Sequence, residues 1–168
     1  SRFVASRLLY GAISQLPFPD LPRTDFLLML GANPLVSHAS ALRSPRIKDD
    51  LAGIVARGGR VVVVDPRRTE TARSYEHVAV RPDADAWLLL SLLNVVFEEG
   101  LTDDAAIARQ TAGVAQLRSA AAEFPPERTA DRTGVAASVV RGLARDFASA
   151  PSAAAYGRTG ACLGRHAT

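Results

Sequence analysis

Apolar positions in this chain fall into two patterns that alternate: short uninterrupted runs and longer helical periodicities. Phe26-Leu27-Leu28-Met29-Leu30 runs without alternation up to Gly31, and Val61-Val62-Val63-Val64 is a block of β-branched residues ended by Asp65-Pro66. Such runs suit strands buried on both faces, as in a parallel sheet. Two more short strands are predicted, at His77–Val80 and at Ala153–Tyr156, the second closed by Gly157-Arg158-Thr159-Gly160.

Helical patterns lie between these runs. Val4, Leu8, Leu9, Ala12 and Ile13 share a face of a helix over Phe3–Leu16. Pro45 precedes a helical segment that runs to about Arg57 and closes on Gly58-Gly59, and a short helix covers Thr69–Ser74. Asp83 or Asp85 is expected to cap a long helix through Leu88, Leu92, Val95 and Val96 to Gly100. Further helices are predicted over Asp103–Ala112, Gly113–Phe124 and Thr133–Ser149, the last with Thr133 as N-cap. Pro17–Arg23 is expected to be extended rather than helical, because proline removes a donor and restricts the residue before it. Pro125-Pro126 is the candidate hinge.

Strands alternating with helices predict an α/β fold, a three-layer Rossmann-like domain with a mainly parallel sheet and right-handed crossovers. The expected organisation is an N-terminal helix and lead-in over 1–24, the nucleotide-cofactor domain over 25–160, and the start of a return to a neighbouring domain over 161–168. Both ends are expected to be cuts within a longer polypeptide.

Composition narrows the classes. At 168 residues, 48% hydrophobic and 22% charged, the chain has the make-up of an ordinary globular domain, not of a disordered, collagen-like or disulfide-rich one. Its apolar runs are too short to span a bilayer, so this segment is expected to insert in no membrane, and no apolar core follows Ser1 as a signal peptide requires. Net charge is +3, and Lys48 is the only lysine among many arginines. Those arginines are interleaved with acids rather than clustered, so no nucleic-acid surface is expected. The single cysteine, Cys162, excludes an internal disulfide and any cysteine-only metal cluster made by this chain, and it leaves the compartment unassigned.

Ligands of open parallel sheets bind at the carboxyl ends of the strands. Each predicted strand ends in a loop with ligand-capable groups: Gly31-Ala32-Asn33-Pro34, Asp65-Pro66-Arg67-Arg68-Thr69, Arg81-Pro82-Asp83-Ala84-Asp85, and Gly157-Arg158-Thr159-Gly160. Parallel topology puts all four at one edge. Gly31 permits close backbone approach, and Asn33 offers a donor and an acceptor to a phosphate or ribose oxygen. Asp65 follows a buried strand, where a carboxylate can accept from both ribose hydroxyls, while Arg67 and Arg68 can neutralise a pyrophosphate. Asp85 can take the paired N1–H and 2-amino donors of guanine, which adenine lacks. Each position also has a plain structural explanation: a turn for residues 31–34, a self-capped turn for Asp65, a helix N-cap for Asp85. His38 and His77 are expected to be structural. No Ser-His-Asp or Cys-His order, no Gly-x-Gly-x-x-Gly after the first strand and no Walker-type loop is present.

Five ordered segments resemble the molybdopterin oxidoreductase family, whose members bind a bis(molybdopterin guanine dinucleotide) cofactor. They are DFLLMLGANPLVS at 25–37, GGRVVVVDPRRTETA at 58–72, HVAVRPDADAWLLL at 77–90, FEEGLTD at 97–103 and YGRTG at 156–160. The resemblance implies that the chain grips one of the two guanine dinucleotide moieties of a molybdenum or tungsten enzyme. Asn33 and Pro34 would then lie by phosphate or ribose, and Asp65 and Arg67 would hold the guanosine end, with Arg68 and Thr69 nearby. Asp85 would read guanine, and Gly157 to Gly160 would approach the pterin side. One departure stands out: the family commonly has Gly-Thr-Asp where this chain has Asp83-Ala84-Asp85, which adds a carboxylate beside a phosphate-bearing ligand. The resemblance places the iron–sulfur cysteines and the protein ligand to the metal upstream of this segment. Cys162 matches neither, so no catalytic residue is assigned here. The implied partners are the remaining domains of the same polypeptide and an electron-transfer subunit. Two alternatives stay open on the residues alone: an NAD(P)-linked dehydrogenase domain with Arg67 and Arg68 on a 2′-phosphate, and a non-catalytic nucleotide-binding domain as in thiamine-diphosphate enzymes.

Overall fold

The computed structural model describes residues 2–13, 17–38, 42 and 44–165. The chain divides into two compact units, Ser1–Asp83 with Pro151–Thr168, and Ala84–Ala150.

The first unit holds the sheet. Its strands are β1 (Phe26–Leu30), β2 (Arg60–Val64), β3 (Glu76–Val78) and β4 (Ala153–Gly157). They lie in the order β3-β2-β1-β4, and every pairing is parallel, as the uninterrupted apolar runs require. Central β1 is buried at all five positions, and Val61 to Val64 of β2 are at most 2% exposed. Because β2 and β3 lie on one side of β1 and β4 on the other, the winding direction switches between β1 and β4.

Helices α1 (Arg2–Tyr10), α2 (Pro34–Ser37), α3 (Ile47–Ala56) and α4 (Glu70–Ser74) belong to this unit. One core joins Leu27 and Met29 of β1 and Val61 and Val63 of β2 to Leu51 and Ile54 of α3 and Ala72 of α4. The two glycines after α3 do different work. Gly58, at φ +84°, takes the left-handed turn that ends the helix, whereas a Cβ on Gly59 would stand 2.4 Å from the Asp25 carbonyl oxygen.

The second unit is helical: α5 (Asp85–Glu98), α6 (Asp104–Gln110), α7 (Val114–Ala122), α8 (Pro126–Thr133) and α9 (Ala137–Ser149). Long α5 packs against α7, α8 and α9 through a face that includes fully buried Leu88, Ser91 and Val95. The Ser91 hydroxyl pairs with that of Thr129 at 3.0 Å, so two buried polar groups satisfy each other. Toward solvent, Arg141 bridges Glu127 and Glu98, and Arg145 holds Glu99 with two bonds of 2.7 and 2.8 Å.

Several element boundaries differ from expectation for identifiable reasons. Thr133 does not cap the last helix. It ends α8, where its hydroxyl donates to the Thr129 carbonyl at 3.0 Å and accepts from the Val135 amide at 3.2 Å, and Gly134 turns left-handed at φ +73°. Pro125-Pro126 is a helix start rather than a free hinge, since Pro126 occupies the first helical position, where a missing N–H costs nothing. Leu21–Arg23 forms a single 3-10 turn inside the stretch expected to be extended, with Pro22 near its start, and the Thr24 amide donates to the Leu21 carbonyl. Neither aspartate stands at the N-cap of α5: Ala84 is the N-cap and Asp85 the first helical residue. Strand β3 covers Glu76–Val78 rather than 77–80, because its ladder reaches only Val62 to Val64. The predicted first helix stops at Tyr10, and its expected end at 14–16 falls outside the described residues.

Candidate functional site

Register brings the loops of the first unit to one edge. Leu30 pairs with Val64 and with Gly157, and Val64 pairs with Val78, so the strands end level. The ladder runs one residue further: Gly31 donates to the Val64 carbonyl at 2.9 Å, Asp65 to Val78 at 3.2 Å, and Arg158 to Leu30 at 3.0 Å. The chain therefore leaves the sheet at Gly31, Asp65, Ala79 and Arg158 along a common line. That is the edge at which open α/β sheets bind ligands.

The first and fourth loops meet directly. Gly31 has φ +57°, and a Cβ there would stand 2.4 Å from the Ala161 nitrogen and 2.6 Å from the Gly160 Cα. The Gly160 amide donates to the Gly31 carbonyl at 3.1 Å. The expected pair is thus brought together, as backbone against backbone. Gly157 is the exposed last residue of β4.

Asn33 is committed to the protein. Its Oδ1 accepts from the Thr71 hydroxyl at 2.8 Å and from the Thr71 amide at 3.3 Å, while its Nδ2 donates to Glu70 at 2.8 Å. The amide ties the loop after β1 to the start of α4. The Glu70 carboxyl is held below its ordinary pKa, first by its own backbone hydrogen bond and then by Asn33, with Arg67 and Arg73 adding to the effect. Pro34 is buried as the first residue of α2.

The second loop offers the freest groups. Asp65 is partly exposed; its Oδ1 accepts from the Arg67 amide at 2.9 Å, closing the turn, and its Oδ2 makes no bond among the described residues. Arg67 and Arg68 are exposed, and their guanidinium groups make no hydrogen bond among the described residues. Thr69 is 2% exposed and caps α4 by accepting from the Ala72 amide at 3.1 Å, so it shapes the loop. His77 hydrogen-bonds the Asp65 carbonyl at 2.8 Å and His38 ends α2 in a left-handed conformation, which gives both a structural place.

In the third loop Asp83 sits at φ +60°, a left-handed conformation that glycine adopts without cost and aspartate tolerates. The Asp83 carboxylate accepts from the Arg165 amide at 2.7 Å, which spends part of its charge on the chain after β4. Asp85 belongs to the helical unit, in the first turn of α5 and partly exposed, whereas the other expected ligands belong to the sheet unit.

Sequence reasoning missed Thr71, Glu70 and Arg165, whose partners are 38, 37 and 82 residues away. Among the described residues no group of three His, Cys, Asp or Glu stands ready to hold a metal ion.

Comparison with known proteins gives this edge a family. A model described as molybdopterin oxidoreductase matches residues 3–124. The chain belongs to the molybdopterin oxidoreductase family, and four of the five resembling segments lie within that match, with 156–160 beyond it. It is 35% identical over 145 residues to formate dehydrogenase H of Escherichia coli, covering 86% of this chain and 19% of that protein. It is 35% identical over 97 residues to a nitrate reductase of Shewanella frigidimarina, covering 57% of this chain and 10% of that protein. The solved structure of acetylene hydratase from Pelobacter acetylenicus superposes with a TM-score of 0.78 at 26% identity, over 92% of this chain and 20% of that one. The chain thus spans about a fifth of the length of formate dehydrogenase H and of the acetylene hydratase chain. Family membership sets aside the dehydrogenase and thiamine-diphosphate alternatives.

Proposed function

We propose that this chain is the part of a longer molybdopterin oxidoreductase that holds one guanine dinucleotide moiety of a bis(molybdopterin guanine dinucleotide) cofactor carrying molybdenum or tungsten. The observation that carries this reading is the second loop, where a carboxylate oxygen and two guanidinium groups stand unspent at the carboxyl edge of a parallel sheet.

The donor set fits such a ligand. Arg67 and Arg68 supply planar forks for pyrophosphate oxygens. Asp65 can accept ribose hydroxyls on Oδ2 while Oδ1 keeps the turn closed. Asp85 offers a carboxylate to the paired donors of guanine from the first turn of α5. Gly157 and Gly160 contribute bare backbone on the pterin side, and Gly31 permits close backbone approach in the first loop. Pro34, Thr69, Asn33 and Asp83 set the loop shapes, and the last two are drawn into bonds within the chain.

When bound, the cofactor supplies metal-centred two-electron chemistry; this chain orients it and balances its charge. The relatives named formate dehydrogenase and nitrate reductase favour oxidoreduction, although a relative of Syntrophotalea acetylenica named acetylene hydratase, 31% identical over 144 residues, shows that the family also carries a hydration. The iron–sulfur cluster, the metal's protein ligand and contacts to an electron-transfer subunit belong, in this reading, to the rest of the polypeptide, and this chain alone is inactive.

The test uses the longer polypeptide with Asp65→Asn. An asparagine Oδ1 still accepts from the Arg67 amide, so the turn persists while the carboxylate is lost. The variant should fold normally and retain less guanosine monophosphate after acid release. Full retention in both Asp65→Asn and the double variant Arg67→Ala/Arg68→Ala would contradict the assignment.

A further inference from the structure

Every polar atom of Asp65 but one is engaged within the sheet unit. Its amide donates to the Val78 carbonyl at 3.2 Å, and its Oδ1 accepts from the Arg67 amide at 2.9 Å. Its carbonyl is hydrogen-bonded by the His77 Nε2 at 2.8 Å. Oδ2 alone makes no bond among the described residues. Two consecutive residues of β3 therefore hold both backbone groups of Asp65.

The His77 bond stands in for a rung that the ladder lacks. In a parallel pair, the amide and the carbonyl of one residue bond to residues two apart on the same neighbouring strand. The Asp65 amide bonds to residue 78, so a continued ladder would bring its carbonyl the Val80 amide. Strand β3 ends at Val78, and the half-buried His77 ring, opposite Val63 in the register, supplies the donor instead. A carbonyl only accepts, so Nε2 carries the hydrogen.

The position needs such a hold. Pro66 follows and has no N–H to anchor the start of the loop, and Arg67 and Arg68 beyond it are exposed. Without a donor on the Asp65 carbonyl, the peptide plane between residues 65 and 66 is free to rock, and the carboxylate swings with it. Because Oδ1 closes the turn, a ligand meets only Oδ2, and the direction of that one atom decides the contact.

We propose that His77 is a positioning residue for the cofactor edge: through the Asp65 carbonyl it fixes the direction of Oδ2 and so sets how tightly the guanosine end is held. The inference rests on the cofactor assignment above and adds to it a side chain from β3 that acts only through Asp65. Both residues belong to the sheet unit.

The test measures cofactor release from the longer polypeptide in urea below its unfolding transition, followed as guanosine monophosphate remaining on the protein. His77→Phe keeps the ring but loses the donor, and it should release about fivefold faster, the worth of one hydrogen bond. His77→Gln places an amide N–H near the position of Nε2 and should return release to within about twofold of the unaltered rate. His77→Asn, whose amide is one carbon shorter, should match His77→Phe and takes its place if the ring variant does not fold. A bond that merely steadies β3 would give the same rescue, so the deciding variant is the pair with Asp65→Asn. Acting through the carboxylate, His77→Phe should add less than about twofold to release from Asp65→Asn. A full fivefold addition in that background, unaltered release in the single His77 variants, or no rescue by His77→Gln would overturn the positioning role. Unaltered release in Asp65→Asn would overturn the cofactor assignment, and the positioning role with it.

Discussion

Gly31 and Gly160 close the point at which the sheet changes winding direction: the Gly160 amide donates to the Gly31 carbonyl at 3.1 Å, and no side chain separates the two backbones. In open α/β folds this point is normally a crevice between diverging loops. Here the backbones seal it, so the freest ligand groups stand to one side, at Asp65, Arg67 and Arg68 beyond β2.

That closure makes Gly31 far less replaceable than Gly58, although both have positive φ. Gly58→Ala meets no atom within 4 Å and should cost about 1 kcal/mol from left-handed strain alone. Gly31→Ala adds a carbon 2.4 Å from the Ala161 nitrogen and should cost about 3 kcal/mol or more. Urea unfolding of the two variants measures the difference; equal losses would mean the Gly31–Gly160 contact is not formed.

The Asn33 bridge predicts an inverted response to acid. Asn33→Ala leaves the buried Thr71 hydroxyl without its acceptor and should cost about 2 kcal/mol. Asn33→Asp keeps that acceptor but sets a second carboxylate beside Glu70. Two adjacent carboxylates raise one pKa above its unfolded value, so this variant should gain stability relative to the unaltered chain as pH falls through the carboxylate range. Thermal unfolding between about pH 4 and pH 7 reads the sign directly.

The unaltered chain should lose stability over the same range. Glu99 is held below its ordinary pKa chiefly by its hydrogen bond from Arg145, Glu127 by its bond from Arg141, and Glu70 by its own backbone bond and then Asn33. A carboxyl whose folded pKa lies below its unfolded one stabilises fully above the unfolded value, and that share is lost as pH falls through the folded one. Glu99→Gln and Glu127→Gln should each flatten the acid limb of the stability curve. These groups are solvated, so added salt should shrink the effect. A salt-independent acid limb, or one unchanged in both variants, would place its origin elsewhere.

Asp83 is expected to act through the chain after β4. Asp83→Gly relieves the left-handed strain but releases the Arg165 amide. Global stability should shift by less than about 1 kcal/mol, while protease cleavage near Gly164-Arg165 should quicken. An unchanged cleavage rate would show that this clasp holds nothing in place.

Much of the sheet is legible in the sequence because its two central strands bury both faces, while the edge strand β4, largely exposed, is marked by its short small-residue run before Gly157. Phe26–Leu30, the Val61–Val64 block and Ala153–Tyr156 announce themselves as uninterrupted runs of the right length, and their ends fix where the carboxyl edge of the sheet lies. The helical unit is less legible. Pro125-Pro126 looks like a break until Pro126 is seen to open α8, and Thr133 has the chemistry of a cap at the wrong end of a helix. Asn33 shows the limit most clearly. Its side chain is equally suited to a phosphate or to Thr71, and only the fold, which brings Thr71 across 38 residues, gives it a partner. Asp65 and Arg67 had the same ambiguity, and the structure leaves the Asp65 Oδ2 and the Arg67 guanidinium available while spending Oδ1 on the turn.

The central claim is that this edge holds a guanine dinucleotide in a metal-bearing polypeptide. Its most direct test is the composition of the purified longer protein, with metal quantified by mass spectrometry and nucleotide released by acid. About two guanosine monophosphates per molybdenum or tungsten, falling in Asp65→Asn, is the predicted result. Metal accompanied by no guanine nucleotide, or an adenine nucleotide in its place, would contradict it.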